Sequence, residues 1–237
     1  MPYTKKTCLD CSNTNCLIKK HSEREEMKPY IAQKNTFNCK SGQQFILEEA
    51  PVSGLYFILK GSVKVYKQTT NESIQIIRFS KEGDIVGHRG FATTFVYDIS
   101  SSALTDTTLC HFPSQVMIDM LFANPPLMYD MMLFYADQLQ KSEANAKKFQ
   151  KMSVRDKVIN GLLFIYRKFG QTDDYFNIVL SRKDIADFSG TAQEQVIRMI
   201  SSFKKEGLII AEGKKLGIPD VARIEKELTE SGSFLEG

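Results

Sequence analysis

The residues of this sequence best suited to chemistry are its cysteines. Three are packed into nine residues, Cys8-Leu-Asp-Cys11-Ser-Asn-Thr-Asn-Cys16, while Cys39 and Cys110 stand apart, the latter in TDTTLCHFP. In a chain read as cytoplasmic, five cysteines argue for thiols or metal rather than disulfides. Clustered thiolates are ligands for iron–sulfur groups or zinc. His21 and His111 lie near cysteines in sequence, although a lone histidine is more commonly an ordinary surface or half-buried residue. Cys39 reads as a strand residue.

A second constellation could read nucleic acid. Glu194 and Arg198 share a helix face at i and i+4, beside Gln193 and Ile197. An arginine fork matches O6 and N7 of guanine, and a glutamate accepts from the amino group of cytosine. On an isolated helix the pair would be a surface salt bridge; inside a helix-turn-helix it becomes base readout, with Gln193 alongside.

The elements around that pair have the required plan. Ser181-Arg-Lys-Asp184 and Thr191-Ala-Gln-Glu194 each place an acid three residues after a Ser/Thr, the pattern of a capping box. Phe188-Ser189-Gly190 supplies the turn between two helices, and Gly207–Ile210, Glu212-Gly213-Lys-Lys215 and Leu216–Ile218 supply a hairpin wing. Hydroxyls and amides at helix starts, together with lysines, are suited to phosphate, which selects Ser181, Arg182, Ser189, Thr191, Lys204 and Lys214. Upstream, Ser153 to Phe169 reads as an amphipathic helix and Phe176 to Leu180 as a short strand.

The first half has a different period. Short β-rich runs at Gln44–Leu47, Leu55–Leu59, Ser62–Tyr66, Ile74–Phe79 and Leu109–Phe112, punctuated by glycine, predict a small sandwich or barrel. After Asn124-Pro125-Pro126 the chain turns helical to about Gln150, with Met128, Met132, Tyr135, Leu139, Ser142, Ala146 and Phe149 at the spacing of a coiled-coil seam. Three segments follow: 1–124, the cysteine segment and barrel; 125–150, a dimerisation helix using Met128, Met132, Tyr135, Leu139 and Ala146; and 151–237, a winged helix-turn-helix.

Composition narrows the alternatives. With 42 % hydrophobic and 25 % charged residues over 237 positions, the chain is ordinary folded protein. Its net charge of +3 conceals +4 over residues 151–215 and −3 over 216–237. No apolar run reaches the roughly 18–20 residues of a membrane span, and the start lacks an apolar secretion core, so a cytoplasmic protein without membrane contact is expected. A barrel metalloenzyme would need several histidines, yet only His88 and His111 lie in the barrel region, and neither paired carboxylates nor a nucleophile triad suggests another enzyme.

LSRKDIADFSGTAQEQVIRMISSFKKEGLI resembles the recognition segment of the Crp/Fnr regulators, in which a Glu, three residues and an Arg lead the recognition helix. GLYFILKGSVKVY and KEGDIVGHRGF extend the likeness into that family's sensory barrel. The resemblance implies an α+β fold: a cyclic-nucleotide-binding-type β-roll (a double-stranded β-helix or jelly roll), a long dimerisation helix and a C-terminal winged helix-turn-helix. It implies a homodimer that binds double-stranded, near-palindromic DNA and acts with RNA polymerase. Ile197 departs from the Ser or Gly usual before the matching Arg, which bears on the operator sequence. The carboxylate and arginine that hold cyclic AMP in related members are replaced by Gly87-His88 and by Asp98-Ile-Ser-Ser-Ser102, so cyclic AMP is not the expected effector. Three N-terminal cysteines and Cys110 resemble the Fnr branch, where four cysteines hold a four-iron four-sulfur cluster, although the second gap is one residue shorter here. Cys8, Cys11, Cys16 and Cys110 are thus the candidate ligands, with zinc the second reading. The implied signal is redox, oxygen or nitric oxide; the alternative is a regulatory module with a small organic ligand or zinc.

Overall fold

The computed structural model describes residues 7–69, 73–149, 152–230 and 232, with the backbone alone for 145–149. In chain order the elements are α1 (Leu17–His21), a 3-10 turn, α2 (Lys28–Ile31), β1 (Asn35–Cys39), β2 (Gln44–Ile46), β3 (Gly54–Lys60), β4 (Ser62–Gln68), β5 (Ile74–Lys81), β6 (Ile85–Val86), β7 (Ser100–Ala103), β8 (Thr107–Pro113), α3 (Ser114–Ala123) and α4 (Pro125–Phe149). Then come α5 (Val154–Phe169), β9 (Gln171–Thr172), β10 (Tyr175–Phe176), α6 (Arg182–Ser189), α7 (Gln193–Lys205), β11 (Ile210–Glu212), β12 (Lys215–Gly217) and α8 (Val221–Glu230). Two compact units result, Met1–Glu72 with Ile77–Ala136 and Ser73–Ile76 with Asp137–Gly237.

In the first unit, two four-stranded sheets, β1-β8-β3-β6 and β2-β7-β4-β5, form the expected β-roll. The run GLYFILK of β3 is nearly continuous in apolar residues because it is buried on both faces. Side chains alternate along a strand, so Tyr56 and Ile58 enter the core between the sheets with Val63, Val65, Val86 and Leu109, while Leu55 and Phe57 face a second core. That core contains Ile18, Met27, Phe112, Met117, Met120, Leu127 and Met131, contributed largely by helices. The β3–β4 turn requires glycine: Gly61 has φ +95°, and a Cβ there would meet the Asp106 carbonyl at 2.7 Å.

In the first unit three strands and three helices lie outside the expected runs. β1 is largely polar, β6 has two residues, and β7 is Ser100-Ser-Ser-Ala103, buried throughout although serine is no strand former. Cys39 does end a strand, β1. In the second unit the strand expected over Phe176–Leu180 is confined to Tyr175–Phe176, paired with β9. Ile178 and Leu180 are buried and Val179 exposed, so the alternation is real, but these residues lie in no strand ladder.

Asn124 starts α4, its Oδ1 accepting from the Leu127 amide at 3.1 Å. Leu127 and Met131 are buried, whereas Met128, Tyr129, Met132, Leu133 and Leu139 form an exposed apolar stripe. Tyr135 belongs to the other side: it is half-buried, and its hydroxyl donates to the His88 carbonyl at 2.6 Å. Tyr135, expected on one seam with Met128, Met132 and Leu139, is thus turned toward its own unit instead of standing exposed beside them; a 3.6-residue helix drifts from a strict heptad count. The side chains of Ala146 and Phe149 lie outside the described residues.

Candidate DNA interface and cysteine pocket

The helix-turn-helix is built from local signals. Ser181 caps α6, its Oγ accepting from the Asp184 amide at 3.0 Å while Asp184 Oδ2 accepts from the Ser181 amide at 3.2 Å. Gly190 closes α6 in the left-handed conformation, φ 59°. The second box differs from expectation. Ala192, not Thr191, is the N-cap of α7, and Gln195 Oε1 accepts from the Ala192 amide at 3.3 Å. Glu194 is thereby relieved of capping and sits exposed in the first turn, where the helix dipole favours a carboxylate.

Val196, Ile200 and Phe203 bury one face of α7, leaving Gln193, Glu194, Ile197, Arg198 and Ser201 exposed together. A donor fork and an acceptor are thus presented side by side from the first turns. The expected phosphate contacts divide. Lys214 is exposed at the turn between β11 and β12, and Thr191 is half-buried at the start of the recognition helix. Arg182 Nη2 donates to the Gly213 carbonyl at 2.9 Å and Lys204 Nζ to the Ala211 carbonyl at 3.0 Å, so both hold the wing. The Ser181 hydroxyl is engaged with Asp184, donating to its Oδ2 at 2.5 Å. Ser189 is corrected outright: it is 1 % exposed, at a close approach of α5 and α6 where a Cβ on Gly161 would stand 2.7 Å from its Oγ. It packs the core and cannot reach a phosphate.

Arg155, which the sequence did not single out, fastens this arrangement. Its guanidinium pairs with Glu206 after α7 and Glu227 on α8, and lies 4.9 Å from the centroid of the Phe203 ring.

In the first unit, Cys8, Cys11, Cys16 and Cys110 line one small pocket with Lys19, Lys34, Phe57 and Phe112. Register brings in the fourth: Cys110 on β8 lies between Thr36 of β1 and Phe57 of β3. Asn13 ties the cysteine segment to β3, its Nδ2 donating to the Ile58 carbonyl at 3.4 Å, and Cys16 is the N-cap of α1. Cys39 is buried in the other core. Burial pushes the Cys8 and Cys16 thiols up, offset in part by Lys34 for the former and by the Lys19 and Ile18 amides for the latter. Burial pushes Cys110 up to about 11. Among the described residues no three His, Cys, Asp or Glu side chains converge tightly enough to hold a single metal ion.

The histidines are occupied elsewhere. His21 Nε2 lies 2.8 Å from Asp130 Oδ2 on α4, which also takes Lys20 Nζ at 2.7 Å. His111 packs between Phe37 and Tyr56. His88 is 3 % exposed, its ring against Phe134 and Tyr135, and burial, with Arg78 and Arg89 nearby, lowers its pKa to about 3. A buried imidazole thus occupies the position that the resemblance sets against a ribose-binding carboxylate.

Among the described residues no helix is long and apolar enough to cross a membrane. A cyclic nucleotide-binding domain model matches residues 36–124, and a Crp-like helix-turn-helix domain model matches residues 156–227. The transcriptional activator protein anr of Pseudomonas aeruginosa is 25 % identical over 201 residues, covering 84 % of this chain and 81 % of the relative. The fumarate and nitrate reduction regulatory protein of Escherichia coli is 23 % identical over 217 residues, covering 89 % and 86 %. FixK2 from Bradyrhizobium japonicum superposes with a TM-score of 0.73 at 18 % identity, covering 81 % of this chain and 96 % of that one. The relatives are transcription regulators rather than enzymes, and both halves of the chain match their domains. The chain is a member of the Crp/Fnr family of transcription regulators.

Proposed function

We propose that this regulator binds near-palindromic double-stranded DNA as a homodimer, under control of a redox, oxygen or nitric oxide signal received at Cys8, Cys11, Cys16 and Cys110. The observation that carries the signal is their placement: three thiols from the N-terminal segment and one from β8 line one pocket, while Cys39 is buried elsewhere. The donor set, four thiols lining one pocket, suits a four-iron four-sulfur cluster, with zinc the second reading. Such a cluster, when bound, supplies iron–sulfur bonds that oxidants attack. The relative named for fumarate and nitrate reduction supports the same signal class. Cyclic AMP is not the effector, consistent with His88 and the serine-rich β7.

The chain's own residues supply the route outward. Cys8 and Cys110 share a core with Ile18 and with Leu127 and Met131 of α4. α1 begins directly after its N-cap Cys16, and its last two residues, Lys20 and His21, grip Asp130 on α4. A rearranged cysteine segment therefore biases α4, whose exposed stripe of Met128, Met132 and Leu139 is the dimer surface, and linkage carries that bias to DNA affinity. On DNA, Arg198 and Glu194 read base edges with Gln193 beside them, and Thr191 and Lys214 meet phosphates, while Arg182 and Lys204 hold the wing that carries Lys214. RNA polymerase is the expected partner at promoters.

Iron and acid-labile sulfide in anaerobically purified protein test this reading. Serine at Cys8, Cys11, Cys16 or Cys110 is expected to remove most of the iron, and Cys39→Ser to leave it intact. Equal loss at Cys39, or no iron in the unsubstituted protein, overturns the cluster assignment.

A further inference from the structure

The stretch between Cys11 and Cys16 is Ser-Asn-Thr-Asn, polar throughout, so burial of apolar side chains cannot be what holds it on the β-roll. Its seat is the turn from β5 to β6. Lys81 and Asp84 close that turn, the Asp84 amide donating to the Lys81 carbonyl at 3.0 Å and the Lys81 amide to Asp84 Oδ2 at 2.8 Å. Two further bonds fasten it to β3: the Gly83 amide donates to the Ile58 carbonyl at 2.9 Å, and the Ile58 amide to the Asp84 carbonyl at 3.1 Å. Gly83 then offers a notch. Its φ is +91°, and a Cβ there would stand 3.0 Å from Asn13 Oδ1 and 3.1 Å from Asn15 Cβ. Asn13 fills the notch and shares the partner of Gly83, its Nδ2 donating to the same Ile58 carbonyl at 3.4 Å. Its own carbonyl accepts from the Cys16 amide at 3.3 Å. One residue thus links a braced turn of the roll to the N-cap of α1.

We infer that Asn13 is the latch of the cysteine segment, a positioning residue that sits in the notch of Gly83, bonds to β3, and so gathers Cys11 and Cys16 at the pocket before any group binds them. Its part in sensing rests on the reading of the pocket above, whereas the latch itself acts in the metal-free chain. A polar segment held by few bonds opens locally at little cost, so one hydrogen bond changes its open population severalfold. Loss of the Asn13 carboxamide leaves the roll folded and raises the share of molecules in which Cys11 and Cys16 meet solvent. Cys39, buried in the core between the sheets, reports on the roll alone.

The experiment times alkylation of each cysteine by iodoacetamide in the reduced, metal-free full chain, read by mass spectrometry. Asn13→Ala is expected to speed Cys11 and Cys16 roughly three- to fivefold with Cys39 unchanged. Asn13→Asp, which keeps the shape but offers no donor to the Ile58 carbonyl, should do the same. Gly83→Ala should also speed both thiols, and because it acts on the same contact, the double variant should fall short of the product of the single effects. The melting midpoint of Gly83→Ala carries the separate cost of a side chain at positive φ, which the alkylation pattern does not. In protein loaded anaerobically with ferrous iron and sulfide, the same variants should lose charge-transfer absorbance to a chelator faster than the unsubstituted protein. Unchanged alkylation of Cys11 and Cys16 in Asn13→Ala, an equal rise at Cys39, or a double variant that reaches the full product overturns the inference. A chain that takes up no iron sinks the cluster reading instead, and the alkylation rates still decide the latch.

Discussion

Replacing Arg155 by Met tests how the recognition helix is held. Arg155 Nη1 and Nη2 donate to Glu206 at 3.0 and 2.7 Å, and Nε and Nη2 donate to Glu227 Oε1 at 3.0 and 2.8 Å. The three side chains are 33 %, 36 % and 38 % exposed, so water screens the pairs. Each is therefore assigned about 0.5–1 kcal/mol. The contact with Phe203 adds about 0.5–1 kcal/mol. Methionine keeps much of the stem's packing, so the loss is roughly 2 kcal/mol, or a fall of roughly 8 °C in the melting midpoint of the second unit. Calorimetry of the full chain at low and high salt reads it. The deficit should shrink by about half in molar salt, where screening acts over about 3 Å. It should also fade in acid. Arg155 first, and then Ser202, hold the Glu206 carboxyl below the usual carboxylate range. A depressed carboxylate contributes stability that is complete above its unfolded value and is lost as pH falls through its folded one. Arg155→Met should accordingly recover the Glu206 part of its deficit once that carboxyl is protonated, while the part from the Phe203 ring remains. DNA affinity should fall for every sequence with base preference unchanged. An unchanged midpoint, or a deficit indifferent to both salt and acid, refutes the reasoning.

Arg198→Ala should cost roughly 1–3 kcal/mol on a selected operator and relax preference at one guanine per half-site, whereas Lys214→Ala should weaken all sequences and flatten the salt dependence; binding-site selection with salt titration separates them. Because Glu194 does not cap α7, Glu194→Gln should alter preference at a cytosine while costing only the roughly 0.3–1 kcal/mol of its interaction with the helix dipole, and an unchanged selection profile would remove it from readout. Paired substitution of Met132 and Leu139 by Glu should give monomers in light scattering, while Tyr135→Phe should leave the dimer intact and cost about 0.5–1.5 kcal/mol from the lost bond to His88. Ser181→Ala should destabilise the second unit by about 1 kcal/mol, measured by denaturant titration.

The parts of the molecule legible in the sequence are those with local signals. Glycine at 190, the Ser181–Asp184 box and the buried face of α7 each act within a few residues, so the helix-turn-helix could be located before any contact was known. The second box was misplaced by one residue because Thr191–Glu194 and Ala192–Gln195 overlap, and the side chain that reaches back belongs to Gln195. β7 was invisible because three serines carry no strand propensity, and their burial follows from sheet neighbours distant in sequence. Ser189 suited phosphate by type, but the close approach of α5 and α6 at Gly161 encloses it. Three of the pocket cysteines were marked by spacing, whereas Cys110 entered only through family resemblance, since it is the β1–β8–β3 register that brings it to the pocket. Arg155 and the His21–Asp130 contact left no sequence signal: each joins residues distant in the chain without periodicity.

The central claim, that the cysteine pocket governs DNA binding, is tested most directly by titrating anaerobically purified protein against a selected operator before and after air exposure, with the visible spectrum recorded on the same sample. The account predicts that tight, sequence-specific binding falls in step with the loss of charge-transfer absorbance. Affinity unchanged as the absorbance bleaches, or tight binding by a protein that never carried it, would contradict that claim.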